Sequence, residues 1–183
     1  LKSSVINIPG SKSISNRVLL ISSLSFGKTK IKNILLSDDT KVMISALKSL
    51  GVKIKFNKSK LECNIDGFQS YLPSKKRNIY VENAGTVIRP LTSILAFNDG
   101  EYLLYGSKRM HERPIKDLVE SLNSIGAKII YKNKKGFPPI KIFPSKVKKN
   151  IIKIKGNVSS QFITSILIAS PIIAQNNDLR IKL

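Results

Sequence analysis

The chain has 183 residues, 42% of them hydrophobic, which is length and apolar content for one or two packed domains. Its formal net charge of +21, from 32 basic against 11 acidic residues, points by itself to a polyanionic partner. No apolar stretch is long and charge-free enough to span a bilayer. The one cysteine, Cys63, excludes an internal disulfide and a cysteine-rich metal site, and suits a reducing, cytoplasmic compartment.

The basic excess is diffuse. It consists of 26 Lys and 6 Arg, and the lysines fall on nearly every predicted strand and loop. No basic tail, aromatic-glycine stacking signature or zinc-finger spacing accompanies it. Lys, Asn and Ile are all plentiful, as an AT-rich coding sequence would produce at exposed positions. The arginines are placed differently. Arg17, Arg89, Arg109 and Arg113 all lie in or beside glycine- or proline-marked segments. There a planar guanidinium offers carboxylate or phosphate a bidentate fork that lysine cannot.

In chain order, the first such segment is Pro9-Gly10-Ser11-Lys12-Ser13-Ile14-Ser15-Asn16-Arg17. Glycine allows close backbone approach, serine supplies hydroxyls, and the start of a helix adds unpaired N–H groups and partial positive charge. An apolar helix is predicted over Val18 to Phe26, then Gly27 and a strand-like run from Lys28 to Leu35. Ser37-Asp38-Asp39 reads as an N-cap for a helix with Val42, Met43, Ala46, Leu47 and Leu50 on one face, ended by Gly51. Val52 to Phe56 and Leu61 to Ile65 alternate as half-buried strands.

The same order then returns. Asn83-Ala84-Gly85-Thr86-Val87-Ile88-Arg89-Pro90 leads into Leu91 to Phe97, and Glu101 to Tyr105 is a strand. Pro114 opens a helix with Ile115, Leu118, Val119, Leu122 and Ile125 inward, Gly126 ends it, and Ala127 to Tyr131 pairs with Ile140 to Phe143. Gly51 and Gly126 are 75 positions apart in matching Ile/Leu-Gly-Ala/Val-Lys-Ile contexts. A third copy begins at Gly156-Asn157-Val158-Ser159-Ser160-Gln161, continues through Phe162 to Ala169 and closes with Leu179 to Leu183. Its second helix and strand pair do not follow, so the sequence predicts a chain ending inside a domain.

The expected fold is α/β, built of βαβαββ repeats with helices packed inside and sheets toward solvent. Residues 1–10 would form a leading strand or crossover, and 11–183 one phosphate-binding domain with units at about 11–75, 76–145 and 146–183, the last incomplete. The first apolar helix of each unit should be the most buried. Their N-termini should meet on one open face carrying Lys12, Arg17, Asn83, Arg109 and Ser159. Thr86, Arg89 and Pro90 would shape a loop, His111 would be solvated, and a salt bridge is open to Arg89 and Arg113.

Those segments, with Arg109-Met110-His111-Glu112-Arg113-Pro114 and Val158-Ser159-Ser160-Gln161-Phe162, give the chain an ordered set of motifs. It resembles the N-terminal portion of the 5-enolpyruvylshikimate-3-phosphate synthases. His111 stands where members often carry Lys. The resemblance implies transfer of the enolpyruvyl group of phosphoenolpyruvate to the 5-hydroxyl of shikimate 3-phosphate through a tetrahedral adduct, with no metal and no cofactor. It implies an enolpyruvyl transferase-like fold of two similar domains, of which this chain would supply one and the second would be absent. By motif, Lys12 would lie between the substrates and be catalytic. Ser13, Arg17, Ser159, Ser160 and Gln161 would join it on shikimate 3-phosphate, and Asn83, Gly85, Arg109 and Gln161 on phosphoenolpyruvate. The family's general base and a second basic group come from the other domain, so this chain alone is expected to bind weakly and not turn over.

Taken singly, each residue has an ordinary reading: Ser159 and Ser160 as caps, Lys12 as surface, Asn83-Ala84-Gly85 as a turn. Other functions remain open as well. One is an inactive fragment that only binds shikimate 3-phosphate or pairs with a separate C-terminal half. Another is the sister enzyme acting on a UDP-sugar, UDP-N-acetylglucosamine enolpyruvyl transferase. The third is a basic nucleic-acid-binding module. The leading expectation is a monomer with no nucleic-acid or membrane partner.

Overall fold

Alternation of lysine with apolar residues builds the sheets, and their inner faces cover a bundle of helices. The computed structural model describes residues 6, 8–69, 71–154, 159–174 and 178–182. The first sheet is antiparallel with order β1 (Lys28–Ile31), β3 (Glu62–Asp66), β2 (Lys53–Asn57). Ile54 pairs with Ile65 and Phe56 with Cys63, while Lys53 and Lys55 face out. The second sheet runs β4 (Lys76–Tyr80), β5 (Glu101–Tyr105), β7 (Ile140–Phe143), β6 (Lys128–Tyr131), with β4 and β5 parallel and the other pairs antiparallel. The third is the parallel pair β8 (Ile151–Lys153) and β9 (Arg180–Lys182).

The helices are α1 (Lys12–Leu24), α2 (Asp38–Ser49), α3 (Gly85–Leu95), α4 (Lys116–Ser124) and α5 (Ser160–Ala174). A parallel strand pair needs a crossover, and α3 and α5 supply it for β4–β5 and β8–β9. The stretch β4-α3-β5-α4-β6-β7 is therefore one full βαβαββ unit. The preceding α1-β1-α2-β2-β3 repeats it without a leading strand among the described residues. Helix α3 packs against α1, α2, α4 and α5. The fold is α/β with helices inside and sheets outside, as expected.

Gly51 and Gly126 end the corresponding helices α2 and α4 with φ of +93° and +117°, a backbone region that L side chains avoid. Ser37, not an aspartate, caps α2. Its hydroxyl accepts the Thr40 N–H at 3.3 Å, and Thr40 Oγ1 accepts the Ser37 N–H at 2.8 Å, a reciprocal capping box.

Several expectations need correction. Helix α1 starts at Lys12 rather than Val18, so most of the first polar segment is already helical. Nor are the first helices of all three units the most buried: α3 buries nine of its 11 residues, but α1 buries six of 13 and α5 six of 15, close to the share in α2 and α4. In α1, Ile14 and Ile21 are exposed, and Phe26 lies past its end at 80% exposure. Thr86, Arg89 and Pro90 lie within α3, not in a loop. Helix α4 begins two residues after Pro114, β1 ends at Ile31, and α5 continues to Ala174 around Pro171. Strands β4 and β8 were not foreseen: charged Lys76-Arg77-Asn78 and the three residues Ile151–Lys153 carry no clear alternation. Residues 1–5 and 7 of the expected leading strand, Gly156-Asn157-Val158 and Leu183 lie outside the described residues.

Candidate functional site

Helix α3 is the hub because it enters the bundle surrounded by the other four helices. Its N-terminal residues are therefore held from three sides. The first link joins α1, α2 and α3. Asn16, fully buried, donates from Nδ2 to Thr86 Oγ1 at 2.8 Å, and Thr86 donates its hydroxyl proton to Asp39 Oδ2 at 2.7 Å. A threonine has one proton to give, so the donors in this chain run toward the carboxylate. The same Oδ2 stands 3.6 Å from Lys12 Nζ, whose side chain is 49% exposed. Asp39 was expected to be a cap. It is instead the acceptor on which two helix N-termini converge, while Asp38 points to solvent and pairs with Lys41 at 2.9 Å.

The second link lies at the α3 N-terminus. Arg113 Nη1 donates to the Asn83 carbonyl at 2.8 Å. A Cβ on Gly85 would stand 2.8–3.1 Å from the guanidinium atoms of Arg113, so glycine there leaves room for this arginine. The loop carrying Arg109 is pinned to the Asn83 loop as well. Ser107 N–H donates to the Glu82 carbonyl at 2.9 Å, and Met110 is fully buried beside Gly106. Arg109 itself is exposed, at the entry to a short 3-10 turn, Met110–Glu112. His111 is half-buried rather than solvated, and its Nε2 accepts the Gly106 N–H at 3.4 Å.

The third link joins α3 to α5. Arg89 Nη1 donates to Gln161 Oε1, and the guanidinium carbon lies 5.1 Å from the Phe162 ring centre. Burial, and secondarily the charge of Arg113, pull the Arg89 pKa below its ordinary value. Neither Arg89 nor Arg113 forms a salt bridge among the described residues, so the ion-pair reading fails for both. Ser159 Oγ accepts the Gln161 N–H at 3.3 Å, the ordinary cap geometry.

Among the nine residues singled out from sequence, Lys12, Asn83, Gly85 and Gln161 take part in these three links. Ser13 and Ser160 are exposed at the first turns of α1 and α5. Arg17, one turn further along α1, donates from Nε to the Ser13 carbonyl at 3.2 Å. Sequence reasoning gave Asp39 only a capping role and Asn16 none, and it marked Arg113 as a candidate fork for an anion without its contact to the Asn83 carbonyl. Asp39 was detectable in principle, as an acidic residue facing inward in a chain with 11 acidic residues against 32 basic ones. Among the described residues, no three His, Cys, Asp or Glu come together as a metal-binding group, and no helix is long and apolar enough to cross a membrane. The chemistry on offer is cationic and donor-rich, suited to phosphate and carboxylate.

Comparison with known proteins agrees in sequence and in fold. The chain is 48% identical over 172 residues to the 3-phosphoshikimate 1-carboxyvinyltransferase of Paraburkholderia phymatum, covering 93% of this chain and 39% of that protein. It is 45% identical over 177 residues to the enzyme of the same name from Herminiimonas arsenicoxydans, covering 97% and 40%. A solved EPSP synthase of Acinetobacter baumannii superposes with a TM-score of 0.82 at 26% identity, over 90% of this chain and 37% of that one. The chain thus spans about 40% of the length of the relatives it matches. The sequence profile of one family matches residues 1–183 throughout, and the chain belongs to that family, EPSP synthase (3-phosphoshikimate 1-carboxyvinyltransferase).

Proposed function

We propose that the face where α1, α3 and α5 begin is one wall of a cleft for shikimate 3-phosphate and phosphoenolpyruvate. With the remaining family length, this wall transfers the enolpyruvyl group to the 5-hydroxyl and releases phosphate. The observation that carries this reading is α3, whose first turn is tied to Lys12 through Asp39 and Thr86, and whose second turn is tied to Gln161 through Arg89. Both substrates are phosphorylated carboxylates, so the wall has to present cations and N–H groups that are already in place.

Lys12, Ser13 and Arg17 on α1 and Ser159, Ser160 and Gln161 at α5 hold shikimate 3-phosphate. Asn83, Gly85 and Arg109, with Lys12 and Gln161, hold phosphoenolpyruvate. In the addition, the 5-hydroxyl oxygen bonds to the enol carbon, the methylene carbon gains a proton and the hydroxyl proton leaves. In the elimination, phosphate departs and the new methyl group returns a proton. The Lys12 ammonium, only 3.6 Å from Asp39 and half exposed, is restrained yet free to follow charge onto the adduct. Residues 11–183 act as one domain, and the 183-residue chain alone binds shikimate 3-phosphate weakly and does not turn over.

Calorimetric titration of the chain with shikimate 3-phosphate tests this. Weak, saturable binding that Ser160→Ala reduces is expected, with no phosphate released when phosphoenolpyruvate is added. Release by the chain alone would overturn the division of labour. Joined to the rest of the family length, Arg109→Lys should weaken phosphoenolpyruvate by about 1–3 kcal/mol, as a bidentate contact becomes a single one. Shikimate 3-phosphate should be little changed.

A further inference from the structure

Gln161 is a neutral amide with two faces, an acceptor oxygen and an NH2 group with two donors. Which face meets the cleft decides whether it attracts or repels an anion. Arg89 settles this: a guanidinium has donors only, so the atom facing its Nη1 is the oxygen Oε1. The Nε2 donors of Gln161 are left facing away from Arg89. The guanidinium is itself fixed, half-buried on the Phe162 ring at 5.1 Å and without a carboxylate partner among the described residues. A glutamate at 161 would satisfy Arg89 equally well, but it would cancel the charge and offer only acceptors.

We propose that Arg89 is a positioning residue: it locks the Gln161 amide with its NH2 toward the cleft and, through its charge on Oε1, polarises that NH2 into a stronger donor. Gln161 thereby becomes a donor selective for anionic oxygen. This rests on the reading of the cleft given above. It adds a function for Arg89, which touches no ligand and acts through its neighbour.

The test is a cycle on the 183-residue chain, with shikimate 3-phosphate as probe and inorganic phosphate as a second arm, in about 0.5 M salt to screen long-range charge. Arg89→Met and Gln161→Met should each weaken shikimate 3-phosphate about tenfold, the scale of one hydrogen bond involving a charged group. The double variant should be no weaker than Gln161→Met alone, because Arg89 acts only through Gln161. Arg89→Lys should recover most of the loss. Gln161→Glu should keep or raise the melting temperature by pairing with Arg89, yet weaken the probe more than Gln161→Met does.

Additive losses in the double variant would overturn the proposal, as would unchanged affinity in Arg89→Met or tight binding by Gln161→Glu. Weakening that tracks melting temperature across all variants would reduce Arg89 to a structural part and also overturn it. If the unaltered chain binds neither probe, the reading of the cleft fails and this inference fails with it. If it binds and the cycle is additive, only the inference fails.

Discussion

Helices α1 and α3 hold the same place in successive repeats, yet α3 buries nine of its 11 residues and α1 only six of its 13. Four of the six in α1 are polar, Ser15, Asn16, Ser22 and Ser23, whereas α3 buries Val87, Ile88, Leu91, Ile94 and Leu95. The cause is position in the bundle rather than local design. Helix α3 meets all four other helices, while one side of α1 is open and leaves Ile14 and Ile21 more than half exposed. One segment type, polar residues leading into an apolar helix, therefore makes a fixed central post in one unit and an outer rail in the other. The side chains anchored from several directions, Thr86 and Arg89, are on the post. Lys12 and Ser13 are on the rail, where exposure gives them freedom to move.

The sharpest way to break this comparison is to truncate one apolar side chain in each helix. Leu91→Ala in α3 removes a fully buried side chain and should cost about 2–5 kcal/mol, the range for core leucines. Ile21→Ala in α1 removes one that is 51% exposed, and should change stability by no more than about 0.5 kcal/mol, as surface substitutions do. Urea denaturation midpoints measure both. Equal losses would mean that α1 is a core helix after all.

This difference marks what could be read from the sequence. The 75-residue offset between Gly51 and Gly126, the α4 face Ile115, Leu118, Val119, Leu122 and Ile125, and the strand pairs were all legible, because each follows from local periodicity and punctuation. The exposed side of α1 was not, since an apolar run reads the same whether or not another element covers it. Strand β4 escaped because a strand flanked only by β5 buries just Ile79 of its five residues, and nothing else in Lys76-Arg77-Asn78-Ile79-Tyr80 alternates. In the site, the polar segments announced themselves through glycine and serine. The Asp39–Thr86–Asn16 chain did not, because it joins residues 47 and 70 positions apart whose types are common at caps.

The sheets of the two units differ too, in a way that pH exposes. Tyr102 on β5 is fully buried and donates its hydroxyl to the Ser74 carbonyl at 2.8 Å, whereas the matching place on β1 is the half-buried Thr29. Burial first, and the charge of Asp99 second, push the Tyr102 phenol up from 10.0 to about 12. A raised folded pKa means that the neutral form is the one the fold favours. Its contribution is complete below pH 10 and fades as pH rises toward about 12. Cys63 and Tyr131, raised by burial to about 11 and about 12, titrate alongside it. The informative comparison is therefore Tyr102→Phe against the parent chain. The variant should be less stable by about 1 kcal/mol at neutral pH for the lost hydrogen bond. Its stability should then fall less steeply between pH 10 and about 12, followed by denaturation at each pH. Parallel curves would show that Tyr102 ionises as freely folded as unfolded.

The smallest expected contrast separates the two glycines that end α2 and α4. Both hold positive φ, +93° at Gly51 and +117° at Gly126, so alanine at either carries backbone strain of about 1 kcal/mol. Their surroundings differ. A Cβ at Gly51 would meet the Pro73 ring at 3.0–3.1 Å, a side chain on a loop that can shift by a few tenths of an ångström. At Gly126 it would collide with the Lys146 carbonyl oxygen at 2.5 Å and approach Lys148 N at 3.0 Å. Those are backbone atoms of the segment that returns to α4 through the Lys148 N–H to Ile125 carbonyl bond at 2.7 Å. Gly126→Ala should therefore cost about 1 kcal/mol more than Gly51→Ala, the size of one buried backbone hydrogen bond. Amide exchange should also become faster at Lys148 in Gly126→Ala, with no counterpart in Gly51→Ala. Equal costs with Lys148 still protected would mean that the two repeats turn their helices under the same constraint, and that the tighter packing of the second unit does not reach this corner.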